Sequence, residues 1–215
     1  MENVNKKHWN QIYNNKVPTE VSWYQQMPSL SLSLIKGLGR TASNVLDIGA
    51  GASSLVDNLL DKTNSKSNYE VGLVDIANSA FVHTKKRLSD RASEAFFIEA
   101  DVTKPIVGIE ENWADVWHDR AVFHFLTKPE QRIGYANNIS NLVNLNGSII
   151  IATFSLDGPE KCSGLEVNRY DGNGIQQALA ECGLQLQLDN EVQFEHGTPW
   201  GTIQQFTYAV LTLLP

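Results

Sequence analysis

The sequence predicts an α/β domain built on one seven-stranded, mostly parallel sheet with helices on both faces and an antiparallel hairpin at the carboxyl end. Short apolar runs alternate with amphipathic stretches from about residue 44 onward, the pattern of strands joined by crossover helices. Three of the early runs end on an acid, at Asp47, Asp75 and Asp101. The 215 residues suit a single domain, since domains cluster near about 100 to 200 residues.

Composition narrows the function classes. Hydrophobic residues make up 42% and charged residues 19%, enough apolar material for a buried core and no signature of disorder. A net charge of -7 repels a phosphate backbone, so nucleic acid is not the expected partner. The densest basic cluster, Lys85, Lys86 and Arg87 with Arg91, fits the solvated face of one helix. No run approaches the ~18 apolar residues of a membrane span, and no apolar stretch follows the first residues. With only two cysteines, Cys162 and Cys182, a reducing cytoplasm is the expected location.

Residues 1–43 precede the first strand and carry His8, Trp9, Tyr13, Trp23, Tyr24 and Pro28. They read as a helical, aromatic cover on the core at 44–215, although packing on the sheet edge explains the same aromatics. The expected strands are Asn44–Ile48, Tyr69–Asp75, Ala95–Ala100, Ala114–His118, Ser148–Phe154, Leu184–Phe194 and Gln204–Leu213. The expected helices are Ser53–Leu60, Ser79–Arg91 and Pro129–Leu145. The second is opened by Asn78 or Ser79 as a cap and carries its basic residues late, where they suit the dipole. Asn146 and Gly147 end the third. The last two strands form the hairpin, with its tip at Glu195–Gly201.

The chemistry concentrates at the carboxyl ends of the strands. Asn44 to Ile48 runs into Gly49 Ala50 Gly51 Ala52 Ser53 Ser54, an apolar strand, an acid and a glycine turn that lets backbone approach a ligand. Asp75 lies 24 residues after Gly51, where an acid can accept from both hydroxyls of a ribose. Asp101 follows Glu99 and Ala100 and suits the amino group of an adenine. A dinucleotide fingerprint would place a third glycine where Ser54 stands.

Val45 to Ser53, Leu73 to Ile76 and Ala100 to Val102 together resemble the cofactor motifs of class I, Rossmann-like methyltransferases that use S-adenosylmethionine. The resemblance implies that Asp47, Gly49 and Gly51 face the amino-acid part of the cofactor, Asp75 and Ile76 the ribose, and Asp101 and Val102 the adenine. Trp9 to Tyr13 and Ser22 to Tyr24 are similar to the entry segment of small methyltransferases, including the protein lysine methyltransferases that act on citrate synthase and elongation factor 1A. That similarity implies that Trp9, Tyr13 and Trp23 pack over the cofactor, where an aromatic face attracts a sulfonium.

After the fourth strand those lysine enzymes differ, because His118 Asp119 Arg120 replaces an acid followed by Lys and Gly. This segment is closer to small bacterial methyltransferases of unassigned substrate. In this fold it lies beside the methyl group, so His118, Asp119 and His124 are candidate proton acceptors, with Asp119 also a candidate cofactor contact. Asp119 pairing with Arg120, and histidines packed in the core, explain the same residues. Tyr24, Arg120, Cys162 and Arg169 are candidate substrate contacts, the last two from the loop after strand five. Cys162 lacks the companions of a metal site, so no metal is expected.

The function implied is methyl transfer from S-adenosylmethionine, leaving S-adenosylhomocysteine, to a small molecule with an N, S or O nucleophile. A protein lysine acceptor and a non-catalytic module that only binds the cofactor are the alternatives. Monomer and homodimer both fit the sequence.

Overall fold

The computed structural model describes residues 4–39, 42–61 and 68–215. Strands β1 (Ala42–Ile48), β2 (Asn68–Asp75), β3 (Ala95–Glu99), β4 (Ala114–Arg120) and β5 (Val143–Phe154) pair in parallel as β3-β2-β1-β4-β5. The sheet then closes with β9 (Ile203–Leu213), antiparallel to both β5 and the edge strand β8 (Leu186–Gly197). A separate two-stranded ribbon, β6 (Lys161–Cys162) and β7 (Leu165–Glu166), sits in the loop after β5. The order reverses between β1 and β4, and in such sheets the crevice at the carboxyl ends of that pair is where ligands bind.

Both faces of the sheet are covered, which explains why its central strands read as apolar runs rather than alternating ones. On one face Leu46, Ile48, Trp117, Ile149 and Ile151 pack with α5 (Pro129–Leu142) and α6 (Gly172–Ala180). On the other, Val45, Val116 and Ile150 meet α2 (Ser29–Gly37), α3 (Leu55–Leu59) and α4 (Asn78–Leu88). Helix α1 (Val4–Asn15) and α2 make up the cover, and α1 packs on α4.

The expected elements are present with shifted ends. Helix α3 is shorter than Ser53–Leu60 because Ser53 and Ser54 still belong to the turn, Ser53 Oγ accepting from Leu55 N at 3.1 Å. Helix α4 starts at Asn78, and neither Asn78 nor Ser79 caps it: the N-cap is Ala77, whose N–H donates to Asp75 Oδ1 at 2.8 Å. It stops before Arg91, since Ser89 turns to φ 52° and a 3-10 turn follows. Helix α5 ends at Leu142, not Leu145, because Val143 already pairs with Ala114. Asn146 then serves as an irregularity inside β5, at φ 63°, rather than a helix stop.

Strand β4 continues to Arg120, and β8 begins later than Leu184 and runs to Gly197, so the hairpin tip is 198–202. That tip is closed by Thr198 N to Thr202 O at 2.8 Å. Helix α6 and the β6–β7 ribbon were not among the expected elements. Gly172 and Gly174 hide α6, whose cap is Asp171, accepting from Gly174 N at 2.7 Å.

Helix α5 lies very close to the loop after β3. Asn138 donates from Nδ2 to Val102 O and Lys104 O and accepts from Ile106 N. A Cβ on Gly134 would sit 2.1 Å from Thr103 O, which is backbone. Gly134→Ala therefore forces helix and loop apart, and urea denaturation should show a loss of about 1 to 3 kcal/mol despite the better helix propensity of alanine.

A second buried network links α5 to the end of β4. Trp117 Nε1 donates to Tyr135 Oη at 2.8 Å, and Tyr135 Oη donates to Asp119 Oδ2 at 2.6 Å. Burial pushes Asp119 up to about 6, while the donors around it favour its charged form. Tyr135→Phe should cost about 1.5 to 3 kcal/mol, a charged hydrogen bond in a buried setting. The cost should be larger at pH 8 than at pH 5, because the lost donor stabilises the carboxylate rather than the acid; equal losses at the two pH values would contradict the network.

Candidate functional site

The turn after β1 shows why its glycines are needed. Gly49 and Gly51 have φ 60° and 54°, a region that side chains disfavour. A Cβ on Gly49 would lie 2.0 Å from Val122 Cγ2, and one on Gly51 2.4 Å from Tyr13 Oη. Asp75, at the end of β2, accepts from Gly51 N at 2.9 Å as well as from Ala77 N. Burial pushes its carboxyl up to about 6 in spite of these two donors.

Asp47 and His118 face each other in register on β1 and β4. His118 Nδ1 lies 2.7 Å from Asp47 Oδ1, and His118 Nε2 lies 2.9 Å from Ser31 Oγ on α2. All three side chains are buried. Asp47 Oδ2 is buried too, with no hydrogen-bond partner among the described residues, so one acceptor is left for a ligand.

Two adjoining cavities open at this end of the sheet. The larger, about 300 Å³, is roofed by Trp9, Tyr13 and Trp23 and floored by Asp75 and Asp101. Ile76 and Val102 also line it. The smaller, about 60 Å³, is lined by Asp47, Gly51, His118 and Tyr24. Tyr13, Trp23, Gly49 and Arg120 border both. The roof is knitted by edge-to-face contacts, Trp9 with Trp23 at 5.6 Å and Tyr13 with Trp23 at 6.3 Å between centroids. Asp101 Oδ1 is shared by Thr103 N and Thr103 Oγ1, which orients its carboxylate at the cavity.

The structure separates the candidates of the β4 segment. Asp119 borders neither cavity; it accepts from Val122 N, Phe123 N and Tyr135 Oη, and so shapes the turn behind the wall. It does not pair with Arg120. His124 is also outside both cavities, buried between Phe125 and Phe154. Burial holds it down near about 3, so it stays neutral.

Arg120 donates from Nε to Tyr208 Oη and from Nη1 to Trp23 O, both at 3.0 Å. Cys162 borders the larger cavity, its thiol pushed up to about 12 by burial. Arg169 does not reach it, donating instead to Gly158 O at 3.1 Å and lying 3.5 Å from Glu160 Oε1. Ser31, Phe125, Thr103 and Tyr208 take part without having been expected. Phe125 stood in a segment already suspect, whereas nothing local marks Ser31 or Tyr208, which come from α2 and β9.

Among the described residues, no cluster of three His, Cys, Asp or Glu could hold a metal, and no helix is long and apolar enough to cross a membrane.

Residues 40–196 match the family model of a methyltransferase domain. No curated protein matches the sequence. Among solved structures, one described as conversion of a disulfide bond into a thioacetal group during echinomycin biosynthesis is similar with TM-score 0.73 and 16% identity, covering 97% of this chain and 93% of that one. An S-adenosylmethionine-dependent methyltransferase from Anabaena variabilis gives TM-score 0.69 at 13% identity over 99% and 96%. The 1,6-didemethyltoxoflavin-N1-methyltransferase of Burkholderia thailandensis, solved with bound 1,6-didemethyltoxoflavin and S-adenosylhomocysteine, gives 0.64 at 16% over 98% and 84%. With the strand-end acids, the glycine turn and the β3-β2-β1-β4-β5-β9-β8 sheet in place, the chain belongs to the methyltransferase domain family and has the Rossmann-like fold of the class I S-adenosylmethionine-dependent enzymes.

Proposed function

We propose that the protein transfers the methyl group of S-adenosylmethionine to a small molecule held between the aromatic cover and the sheet. The observation that carries this reading is the roofed double cavity whose walls hold Asp47, Asp75 and Asp101 at three strand ends. Asp47 Oδ2 would take the ammonium of the methionine part, Asp75 the ribose hydroxyls, and Asp101 with Val102 the adenine. His118, closed between Asp47 and Ser31, acts here as a positioning residue for Asp47 rather than as a free base.

When bound, the cofactor supplies an electrophilic methyl on a sulfonium. The residues of this chain then orient and enclose: Trp9, Tyr13 and Trp23 exclude water, and Trp23 and Tyr13 border both compartments. Holding nucleophile and methyl within about 3 to 3.5 Å accounts for much of such a reaction without an obligatory base. A roofed cavity of this size favours a small acceptor over a protein side chain, which would need an open groove. The Burkholderia neighbour, a small-molecule enzyme, is consistent with that choice.

Calorimetry of the purified protein should show micromolar affinity for S-adenosylmethionine and S-adenosylhomocysteine and none for NAD; failure of both sulfur compounds to bind would remove this reading. Asp75→Asn should weaken S-adenosylhomocysteine binding about tenfold or more, as expected for lost hydrogen bonds to a charge.

The Asp75 carboxyl, raised to about 6 by burial, must be ionised to accept from both hydroxyls. Affinity should therefore fall as pH drops through about 6, by up to roughly tenfold per unit, and this dependence should vanish in Asp75→Asn. A pH-independent affinity in the wild-type protein would contradict the assignment.

A further inference from the structure

The wall shared by the two cavities contains a cation without a counter-ion among the described residues. Arg120 ends β4, and its guanidinium lies over the Phe206 ring at 4.9 Å. Two of its three nitrogens are spent on neutral acceptors, Tyr208 Oη and Trp23 O. Nη2 is shielded from solvent and has no hydrogen-bond partner, and no carboxylate lies within 4 Å of the guanidinium among the described residues. An arginine shielded in this way is costly unless an anion completes it.

Among the described residues, the same walls hold no available base on the acceptor side. His118 uses both ring nitrogens, and Asp119 and His124 lie behind the wall. Cys162, the other reactive group bordering the larger cavity, is kept a neutral thiol by burial at ordinary pH. The three acids that do border the cavities are those assigned to the cofactor.

We propose that Arg120 is the acceptor-recognition residue and that the acceptor is a small anion, of the thiolate, carboxylate or halide type, methylated on its anionic centre or beside it. This rests on the methyl-transfer reading above. In the step itself a lone pair of the anion forms the new bond to carbon, and the carbon–sulfur bond breaks with its pair passing to sulfur. The negative charge of the acceptor and the positive charge of the sulfonium cancel, and no proton has to move, so a site with a cation and no free base suffices. The guanidinium fork is fixed by Tyr208, Trp23 and Phe206 in the wall that both cavities share, and Nη2 is its one nitrogen left to bind an anion.

The test is calorimetry of iodide, benzoate and thiobenzoate, with benzamide as the neutral control, on protein saturated with S-adenosylhomocysteine, in the wild type and in Arg120→Gln and Arg120→Lys. At least one anion should bind the wild type more tightly than benzamide does. Arg120→Gln should lose that binding by about tenfold or more while its affinity for S-adenosylhomocysteine changes by less than about threefold, and Arg120→Lys should keep part of it. If Arg120→Gln does not fold, Arg120→Lys is decisive, and unaltered anion affinity in it overturns the proposal. So does failure of all three anions to bind, or benzamide binding as tightly. An equal loss of S-adenosylhomocysteine in Arg120→Gln means that the guanidinium serves the cofactor or the cover that Trp23 belongs to rather than the acceptor, and also overturns it. Failure of the wild type to bind S-adenosylhomocysteine at all is a separate result, seen in the first titration, and defeats the methyl-transfer reading instead.

Discussion

The glycine turn after β1 and the segment after β4 approach so closely that the Cβ position of Gly49 is taken by Val122 Cγ2. Val122 is held there because Asp119 accepts from its N–H and from that of Phe123, and Asp119 is in turn held by Tyr135 from α5. Trp117 closes the arrangement by donating to the same tyrosine oxygen. Helix α5, the end of β4 and the glycine turn thus form one buried unit. The burial of Asp119 is costly for its charge and is offset only in part by three donors, so the shape of the cavity wall depends on those donors staying in place.

The cover is joined to this unit through scattered polar contacts and a patch of aromatic rings. Ser31 meets His118, Trp23 O accepts from Arg120, and Ser22 O lies 2.7 Å from His196 Nε2 on β8. Asn10 Oδ1 accepts from Ser79, and Tyr13 O lies 2.9 Å from His83 Nε2 on α4. Each such bond contributes on the order of 1 kcal/mol net, so closure is a sum of modest terms spread over β4, α4 and β8. Two of these contacts end on residues that also line a cavity, His118 and Arg120. The position of the cover and the state of the ligand site are therefore coupled through the same side chains.

Much of the sheet was legible because its central strands are buried on both faces and flanked by glycine and acid at their carboxyl ends. The boundaries that moved did so where a local signal competed with pairing. Asn146 and Gly147 look like a helix stop, yet β5 begins before them because Val143 pairs with Ala114. Asn78 and Ser79 look like caps, yet both already lie inside the helix, whose N-cap is Ala77, positioned by the Asp75 carboxylate. Helix α6 was hidden by two glycines in its first turn, and the β6–β7 ribbon is too short to leave a periodic pattern.

Sequence by itself determined the α/β class, the acids at the ends of β1 and β2 and just after β3, and the glycines between the first acid and α3, because strand length, turn chemistry and burial all act over a few neighbouring residues. It also marked the β4 segment as polar where an apolar stretch was due. Only the tertiary structure decided which of those polar groups border the cavities. Asp119 and His124 are turned into the core, whereas His118 and Arg120 reach the cavities, a division made by partners 16 to 88 residues away such as Tyr135, Ser31 and Tyr208. Side chains one residue apart on a strand point to opposite faces, but which contacts satisfy them depends on the elements that arrive from elsewhere in the chain.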